Sequence, residues 1–219
     1  DIACGKRRPK GHLGVQRLAL LSAAPEIATH LYWRINRIAV LPEIQCQGIG
    51  SYVLQKVIQA AGESQVDGVL TSYGQTSELN QFWQKNVFLI VDEGKKRNKA
   101  SGETSALAVK TDSNYVKSVV ERLIRDKHVE QSSTSFSDLP IDTKQLYKKK
   151  LTHFSLGCRS LDDVWTIINR IAVAIEQNPL HSASAKVELN NQITKSTKAN
   201  PLLSKHCLIE LKKPAINVE

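Results

Sequence analysis

The residues with the clearest chemical potential lie in one short turn, residues 45–51, with the sequence QCQGIGS. Gly48 and Gly50 carry no Cβ, so a ligand can approach the backbone closely at both positions. A β-branched run, INRIAVL (35–41), precedes the turn, and apolar residues at helical spacing over 51–62 predict a helix after it. The first amides of a helix have no intrahelical partner and lie at the positive end of its dipole. Such a turn suits a phosphate or a pyrophosphate.

The turn matches neither of two common phosphate-binding motifs. A P-loop has a Lys followed by Ser/Thr directly after its second glycine, and no Lys directly follows Gly50. The third glycine of the dinucleotide-binding fingerprint is absent as well, and so is the acidic residue expected on the following strand. The residues alone therefore leave two interpretations open, a phosphate site and a tight structural turn between a strand and a helix.

The cysteines supply neither a metal site nor a disulfide framework. Cys4, Cys46, Cys158 and Cys207 are far apart, without a CxxC pair or a Cys–His spacing typical of zinc. They also show no Cys–His arrangement that would indicate a nucleophile. We therefore expect no metal and a reducing compartment, the cytoplasm.

Alternating strand and helix signals over the first 110 residues predict an α/β domain that positions the turn. The predicted strands are 35–41, 66–72, 87–92 and 104–110, and the predicted helices are 11–28, 51–62 and 77–85. Beyond residue 110 the patterns predict helices over 114–129, 142–154 and 160–177, with a serine-rich linker over 130–141. We predict two domains, 1–110 and 111–219.

The chain is basic, and no apolar run is long enough to span a membrane. Among 219 residues, 30 are Lys or Arg and 21 are Asp or Glu, which gives a net charge of +9. This balance favours polyanionic partners, nucleic acid first. The segment GKKRNKASGE (94–103) predicts a charged hairpin loop, which is either a solvated turn or a nucleic-acid contact. The candidate contacts are Arg7, Arg8, Lys95, Lys96 and Arg97, and residues 148–150 form a further basic cluster.

The longer string RIAVLPEIQCQGIGSYVL, residues 37–54, resembles motif A of the GNAT acetyltransferases. The residues at the motif positions are Val40, Pro42, Gln45, Gly48 and Gly50. The resemblance implies a GNAT-type mixed sheet flanked by helices, followed by a mainly α-helical C-terminal tail domain. It also implies acetyl-CoA as the cofactor, with its pyrophosphate on the backbone amides of the turn. The thioester would lie beside a strand that splays from its neighbour.

Three further segments narrow this resemblance. GKRRPKGHL (5–13), SYGQTSELNQFWQKNVF (72–88) and NKASGETSALAV (98–109) resemble the bacterial tRNA(Met) cytidine acetyltransferases, which acetylate the wobble cytidine. This resemblance implies tRNA as a partner, and ATP only through a helicase-like module of the full-length protein. That module and the first GNAT strands are not in this sequence, and the sequence contains no Met. We therefore expect a piece of a longer protein.

The resemblance assigns a set of residues to acetyl-CoA. They are Ile38, Ala39 and Val40 before the turn, Gln45, Cys46, Gln47, Gly48, Ile49, Gly50 and Ser51 in it, and Glu78 and Lys85 on a later helix. For Glu78 and Lys85 the alternative is an exposed helix face. The chain departs from its relatives at Lys85, where they carry Arg, and at Leu41, where many carry His. It also has Val87 where a glycine is common.

The implied reaction is direct attack of the exocyclic amine of cytidine on the thioester. That amine bears little charge at pH 7, so positioning and polarisation of the carbonyl are expected to supply most of the rate. The catalytic acid and base are unassigned, and Tyr73 is a candidate to protonate the departing thiolate; the alternative is a buried core tyrosine. Two other functions stay open: a GNAT enzyme acting on a protein or small-molecule amine, and a non-catalytic RNA-binding fragment.

Overall fold

The computed structural model of the protein describes residues 13–97 and 102–176. These residues form two compact units that divide between His128 and Val129. Their helices and strands, in chain order, are α1 (Leu13–Ser22), β1 (Tyr32–Ile35), α2 (Ile49–Glu63), β2 (Gly68–Gly74), α3 (Ser77–Lys85), β3 (Leu89–Arg97), β4 (Thr104–Lys110), α4 (Asn114–Gln131), α5 (Ile141–Ser155) and α6 (Trp165–Glu176). The predicted class, α/β with a mixed sheet and a helical second part, is confirmed.

The four described strands form a mixed sheet in the order β1-β2-β4-β3. β1 and β2 are parallel, with Tyr32 opposite Gly68 and Ile35 opposite Thr71. Parallel neighbours need a crossover connection, and α2 supplies it. The other pairs, β2 with β4 and β4 with β3, are antiparallel. The turn before α2 therefore lies at the end of the only parallel pair in the described sheet.

The sheet separates two hydrophobic clusters because successive residues of a strand point to opposite faces. One cluster joins residues of α1 and α4 to the sheet, with Leu18, Leu70, Leu107, Val109, Val116 and Val120 among its members. The other joins residues of α2 and α3 to the opposite face, with Leu54, Val69, Trp83, Phe88 and Ala108. α2 and α3 therefore share one face of the sheet. The domain boundary predicted at residue 110 stays a prediction, although α4 packs into the core of the first unit.

The strand predicted at 35–41 is wrong over most of its length. The sheet residues are Tyr32–Ile35, and residues 36–41 continue outside the sheet. Their apolar side chains have another explanation, since Ile38 packs against the cluster formed by α2 and α3. A β-branched run thus indicates residues that pack on a hydrophobic core. It does not indicate which of these residues pair with a neighbouring strand.

The charged hairpin loop predicted at 94–103 is also partly wrong. β3 runs to Arg97, which lies opposite Thr104 of β4. The register shifts between Ile90 and Asp92 and again between Glu93 and Arg97, and these irregularities let the pairing continue into the basic segment. Charged residues are well tolerated there because β3 is an edge strand of the described sheet.

The second unit packs α5 and α6 around two small apolar clusters. One contains Phe154, Val164 and Ile168, and the other contains Leu139, Tyr147 and Ile167. No helix within 13–97 or 102–176 is both long and apolar enough to cross a membrane. In the same ranges, His, Cys, Asp and Glu side chains form no group of three that could hold a metal ion.

Candidate active site

β1 and β2 separate after the last pair of residues that they share. In that pair Ile35 lies opposite Thr71, and the Thr71 hydroxyl donates a hydrogen bond to the Ile35 carbonyl oxygen at 3.1 Å. Beyond it, β2 continues to Gly74 with β4 as its partner, while residues 36–41 leave the sheet. The pairing of β1 with β2 thus ends at Ile35, in agreement with the splayed strand that the resemblance implies.

The segment that leaves the sheet carries three of the predicted site residues. Ile38 and Val40 are half-buried, and Ala39 is exposed. The side-chain amide of Gln45 donates to the carbonyl oxygen of Val40 at 2.9 Å. Gln45 therefore links the turn to the segment before it. The prediction assigned Gln45 to acetyl-CoA and did not include this contact within the protein.

The two glycines of the turn serve different physical needs. Gly48 precedes α2 in the left-handed conformation, with φ +82°, and a Cβ there would meet no atom within 4 Å. Gly50 lies inside α2, where a Cβ would be 3.3 Å from the Phe82 ring and 3.6 Å from Val40 Cγ2. The expectation that both glycines open the backbone to a ligand therefore fits Gly48. Gly50 instead allows close packing between α2 and α3.

Six successive backbone N–H groups, from Cys46 to Ser51, have no acceptor among the described residues. The first helical hydrogen bond of α2 runs from the Tyr52 N–H to the Gly48 carbonyl oxygen at 2.9 Å. Residues 46–48 are exposed, so a ligand can reach their amides. Unpaired amides at the start of a long helix form an anion site, because they donate hydrogen bonds and the helix dipole adds positive potential. The residues present thus fit a pyrophosphate.

Tyr73 lies on β2, two residues beyond the point where β1 and β2 separate. Its hydroxyl donates to Asn80 Oδ1 at 2.9 Å, and its ring packs on Trp83 at a centroid distance of 5.7 Å. Burial, together with the negative charge of Glu93, raises the pKa of Tyr73 to about 12. The side chain is half-buried and neutral at pH 7. Both interpretations of Tyr73, as a proton donor and as a core tyrosine, therefore stay open.

Glu78 and Lys85 lie at opposite ends of α3. Glu78 is fully exposed, and its carboxylate accepts hydrogen bonds from its own N–H and from the hydroxyls of Thr76 and Ser77, which lowers its pKa. Thr76 caps the same helix by accepting from the Leu79 N–H at 3.3 Å. Lys85 is exposed in the last turn. These contacts stabilise the helix ends, and the assignment of both residues to acetyl-CoA stays a prediction.

Of the five predicted RNA-binding residues, three lie in the part of the chain that the structure describes. Arg7 and Arg8 lie outside the described residues. Lys95, Lys96 and Arg97 are the last residues of β3, and the Arg97 side chain is exposed.

Sequence reasoning missed Asn86, which directly follows α3. Its side chain is only 8% exposed, and its Nδ2 donates to Ser51 Oγ at 3.1 Å and to the Phe82 carbonyl oxygen at 2.8 Å. Asn86 therefore joins the end of α3 to the turn. The two residues are 35 positions apart, and no local pattern connects them.

Comparison with known proteins agrees with this geometry. Residues 12–84 match the model of the acetyltransferase (GNAT) family. This part of the chain is therefore similar to the GNAT acetyltransferases. The match includes the separating strands, the turn and most of α3.

Individual relatives narrow the class further. The chain is 42% identical over 110 residues to the tRNA(Met) cytidine acetyltransferase TmcA of Haemophilus influenzae, which covers 50% of this chain and 16% of that protein. It is 41% identical over 109 residues to the enzyme of the same name from Vibrio cholerae, covering 50% and 15%. The protein of that name from Pyrococcus furiosus is 32% identical over 115 residues, which cover 52% of this chain and 14% of that protein. The predicted resemblance to this family is confirmed, and the matched region spans about a sixth of the relatives' length.

Proposed function

We propose that this chain carries the acetyl-transferring domain of a tRNA cytidine acetyltransferase. The substrate would be the exocyclic amine of the wobble cytidine in elongator tRNA(Met), and the acetyl donor would be acetyl-CoA. The observation that carries the proposal is the row of six unpaired amides, 46–51, beside two strands that separate. The names of the relatives supply the substrate class.

The turn and the segment before it would hold the acetyl donor. The amides of residues 46–51 would bind the pyrophosphate, and the backbone of residues 38–40 would line the rest of the molecule. Glu78 and Lys85 would contribute from α3, as the resemblance implies. This division follows the chemistry of each part, because unpaired N–H donors suit anionic oxygens.

The described residues would contribute mainly by positioning. When bound, acetyl-CoA supplies its acetyl carbon to the new bond with the amine nitrogen as the C–S bond breaks. The nitrogen loses one proton and the departing sulfur gains one, so the reaction needs no further reactant. Tyr73 is the candidate donor of that second proton. Because its hydroxyl already donates to Asn80, it would have to exchange that acceptor for the sulfur.

RNA contacts would come from basic residues of both units. In the first unit the proposed contacts are Arg7, Arg8, Lys95, Lys96 and Arg97. In the second, an open groove of about 310 Å³ is lined by Lys144, Lys148, Phe136 and Ile171, among others. Lysines beside an aromatic ring offer charge to a phosphate and a flat surface to a base. ATP would act only through a helicase-like module of the full-length protein.

Acetylation of tRNA tests this proposal directly. The chain would be incubated with acetyl-CoA and a tRNA(Met) transcript, and the digested nucleosides would be analysed by mass spectrometry. We expect acetylcytidine at the wobble position and none in a transcript with uridine there. Acetylation of a protein or small-molecule amine with tRNA left unmodified would favour a different GNAT substrate. Binding of tRNA without binding of acetyl-CoA would instead favour a non-catalytic RNA-binding role.

A further inference from the structure

One face of α3 holds the start of α2. Phe82 and Asn86 are four positions apart, so their side chains lie on the same side of the helix and its end. The Phe82 ring packs where Gly50 lacks a side chain, and the Asn86 amide reaches Ser51. Two of the residues whose amides are unpaired are therefore in direct contact with this face.

The Asn86 side chain is fixed by its hydrogen bonds. An amide nitrogen carries two hydrogens, and Asn86 Nδ2 donates to Ser51 Oγ at 3.1 Å and to the Phe82 carbonyl oxygen at 2.8 Å. The backbone that follows is also fixed: the Phe88 N–H donates to the Trp83 carbonyl oxygen at 3.0 Å, a bond of the Schellman type. Little freedom is left to a side chain that is 92% buried.

This contact decides the direction of the Ser51 hydroxyl hydrogen. A hydroxyl has one hydrogen and two lone pairs, and the bond from Asn86 occupies one of the lone pairs. The amide NH₂ group cannot accept in return, so the Ser51 hydrogen must point elsewhere. Neither the hydroxyl hydrogen nor the N–H of Ser51 has an acceptor among the described residues. Both donors of Ser51 lie in the third position of α2, within the row of unpaired amides.

The turn also lacks the usual partner of a phosphate. Between Arg37 and Lys56 the single charged side chain is Glu43, which is negative. In this segment an anion can therefore be bound only by neutral hydrogen-bond donors. A hydroxyl is a strong donor toward a charged oxygen. A side-chain donor that is held in position matters more here than beside a lysine or an arginine.

We propose that Asn86 is a positioning residue for the pyrophosphate site. By donating to Ser51 Oγ, it directs the Ser51 hydroxyl hydrogen toward a phosphate oxygen of the bound acetyl donor. Ser51 is then a binding residue through its side chain as well as through its amide. This inference rests on the proposed function, since it requires the turn to bind a pyrophosphate.

The test is a double-mutant cycle on CoA affinity, measured by calorimetry with wild type, Ser51→Ala, Asn86→Ala and the double variant. Loss of a hydrogen bond to a charged group lowers affinity roughly ten-fold or more. We expect such a loss for Ser51→Ala and a smaller loss for Asn86→Ala. We expect the double variant to bind no more weakly than Ser51→Ala, because Asn86 acts through Ser51. Ser51→Thr should retain most of the affinity, and Ser64→Ala, an exposed serine at the other end of α2, should retain all of it.

A second variant, Asn86→Asp, gives a pH dependence of CoA affinity that a packing role of Asn86 would not produce. In Asn86→Asp the ionised carboxylate accepts, so it draws the Ser51 hydrogen inward and removes it from the phosphate. We expect Asn86→Asp to bind CoA more weakly than Asn86→Ala at pH 7. Its affinity should recover at acid pH, where the protonated carboxyl can donate to Ser51 Oγ again. A pH profile parallel to that of the wild type would overturn the proposal.

Several other results would overturn it as well. Unchanged affinity in Ser51→Ala, with Gln47→Glu still weakening CoA binding, would remove the Ser51 contact and leave the proposed function intact. Fully additive losses in the cycle would mean that Asn86 acts through packing. No binding of CoA by folded wild-type protein would remove both the inference and the site on which it rests.

Discussion

The Thr71 hydroxyl donates to the Ile35 carbonyl oxygen at 3.1 Å, at the last position where β1 and β2 are paired. The bond ties the two strands together immediately before they separate. It therefore marks the point beyond which the two strands are unpaired, and there we place the acetyl donor.

Replacing Thr71 should weaken both the fold and the site. Thr71 is buried, and Thr71→Val keeps its shape while it removes the donor. We expect a loss of about 1 kcal/mol in the free energy of unfolding, the usual value of one hydrogen bond. Acetyl-CoA affinity should fall as well. Urea unfolding and calorimetry would measure the two effects, with Thr71→Ser as the control that keeps the hydroxyl. Equal stability of wild type and Thr71→Val would show that the bond adds nothing.

Val87 lies in a conformation that suits glycine. Its φ is +66°, and it forms the left-handed residue after α3, with the Val87 N–H donating to the Gln84 carbonyl oxygen at 3.0 Å. Its side chain is 67% exposed, so little packing compensates for the strain. We expect Val87→Gly to raise the free energy of unfolding by about 1 kcal/mol. Val53→Gly, at an exposed position of α2, is the control and should lower it by about as much. Destabilisation by Val87→Gly would contradict this account.

Asp67 should make the stability of the first unit depend on acid pH. Its carboxylate accepts from the Leu31 N–H at 2.9 Å and lies 3.2 Å from His30 Nδ1, and these contacts lower its pKa. A lowered pKa means that the folded protein favours the ionised form. The stabilisation is thus present above the ordinary aspartate pKa of about 3.9 and is lost as the pH falls through the folded value.

Asp67→Asn tests this dependence. We expect the variant to be less stable than the wild type at pH 7, and the difference in the free energy of unfolding to shrink below about pH 4. Urea titrations between pH 7 and pH 3 would measure it. A difference that stays constant over this range would show that ionisation of Asp67 does not contribute.

The groove in the second unit should respond to loss of one positive charge. Lys148 lines it and is exposed, and its head group forms no ion pair with another described residue. Removing a phosphate contact lowers the dependence of log affinity on log salt concentration by about 1. We expect Lys148→Gln to weaken tRNA binding in fluorescence anisotropy and to reduce that slope.

Gln145→Glu is the matched control for Lys148→Gln. It changes the net charge by the same amount at another exposed position of α5. We expect less than half of the effect on tRNA affinity. Equal effects of the two variants would indicate a response to overall charge, and the groove would then have no specific role.

Sequence patterns predict α3 and β4 correctly because the residues that determine their bounds lie within or next to them. The bounds of α3 follow from Thr76 as a cap and from its apolar face, and those of β4 follow from a compact apolar run. The predicted start of the helix after the turn was two residues late, because Ile49 and Gly50 were assigned to the turn. Unpaired amides at the start of α2 followed from the same local reasoning.

Features that depend on distant partners could not be predicted in this way. The end of β1 depends on where β2 turns away, and the length of β3 depends on irregular pairing with β4. The second glycine of the turn is explained by Phe82, which lies 32 positions later in the chain. The sequence contains no local sign of that contact, so the missing side chain of Gly50 could be interpreted only as room for a ligand.

Binding of acetyl-CoA to the wild-type chain and to Gln47→Glu decides whether residues 46–51 form a pyrophosphate site. Gln47 is exposed within the row of unpaired amides, so the glutamate adds a negative charge there without a change in size. Gln55→Glu adds the same charge at an exposed position farther along α2. We expect binding by the wild type, roughly ten-fold weaker binding by Gln47→Glu, and nearly unchanged binding by Gln55→Glu. Wild-type protein that is folded and does not bind acetyl-CoA, or equal affinity in all three proteins, would contradict this expectation.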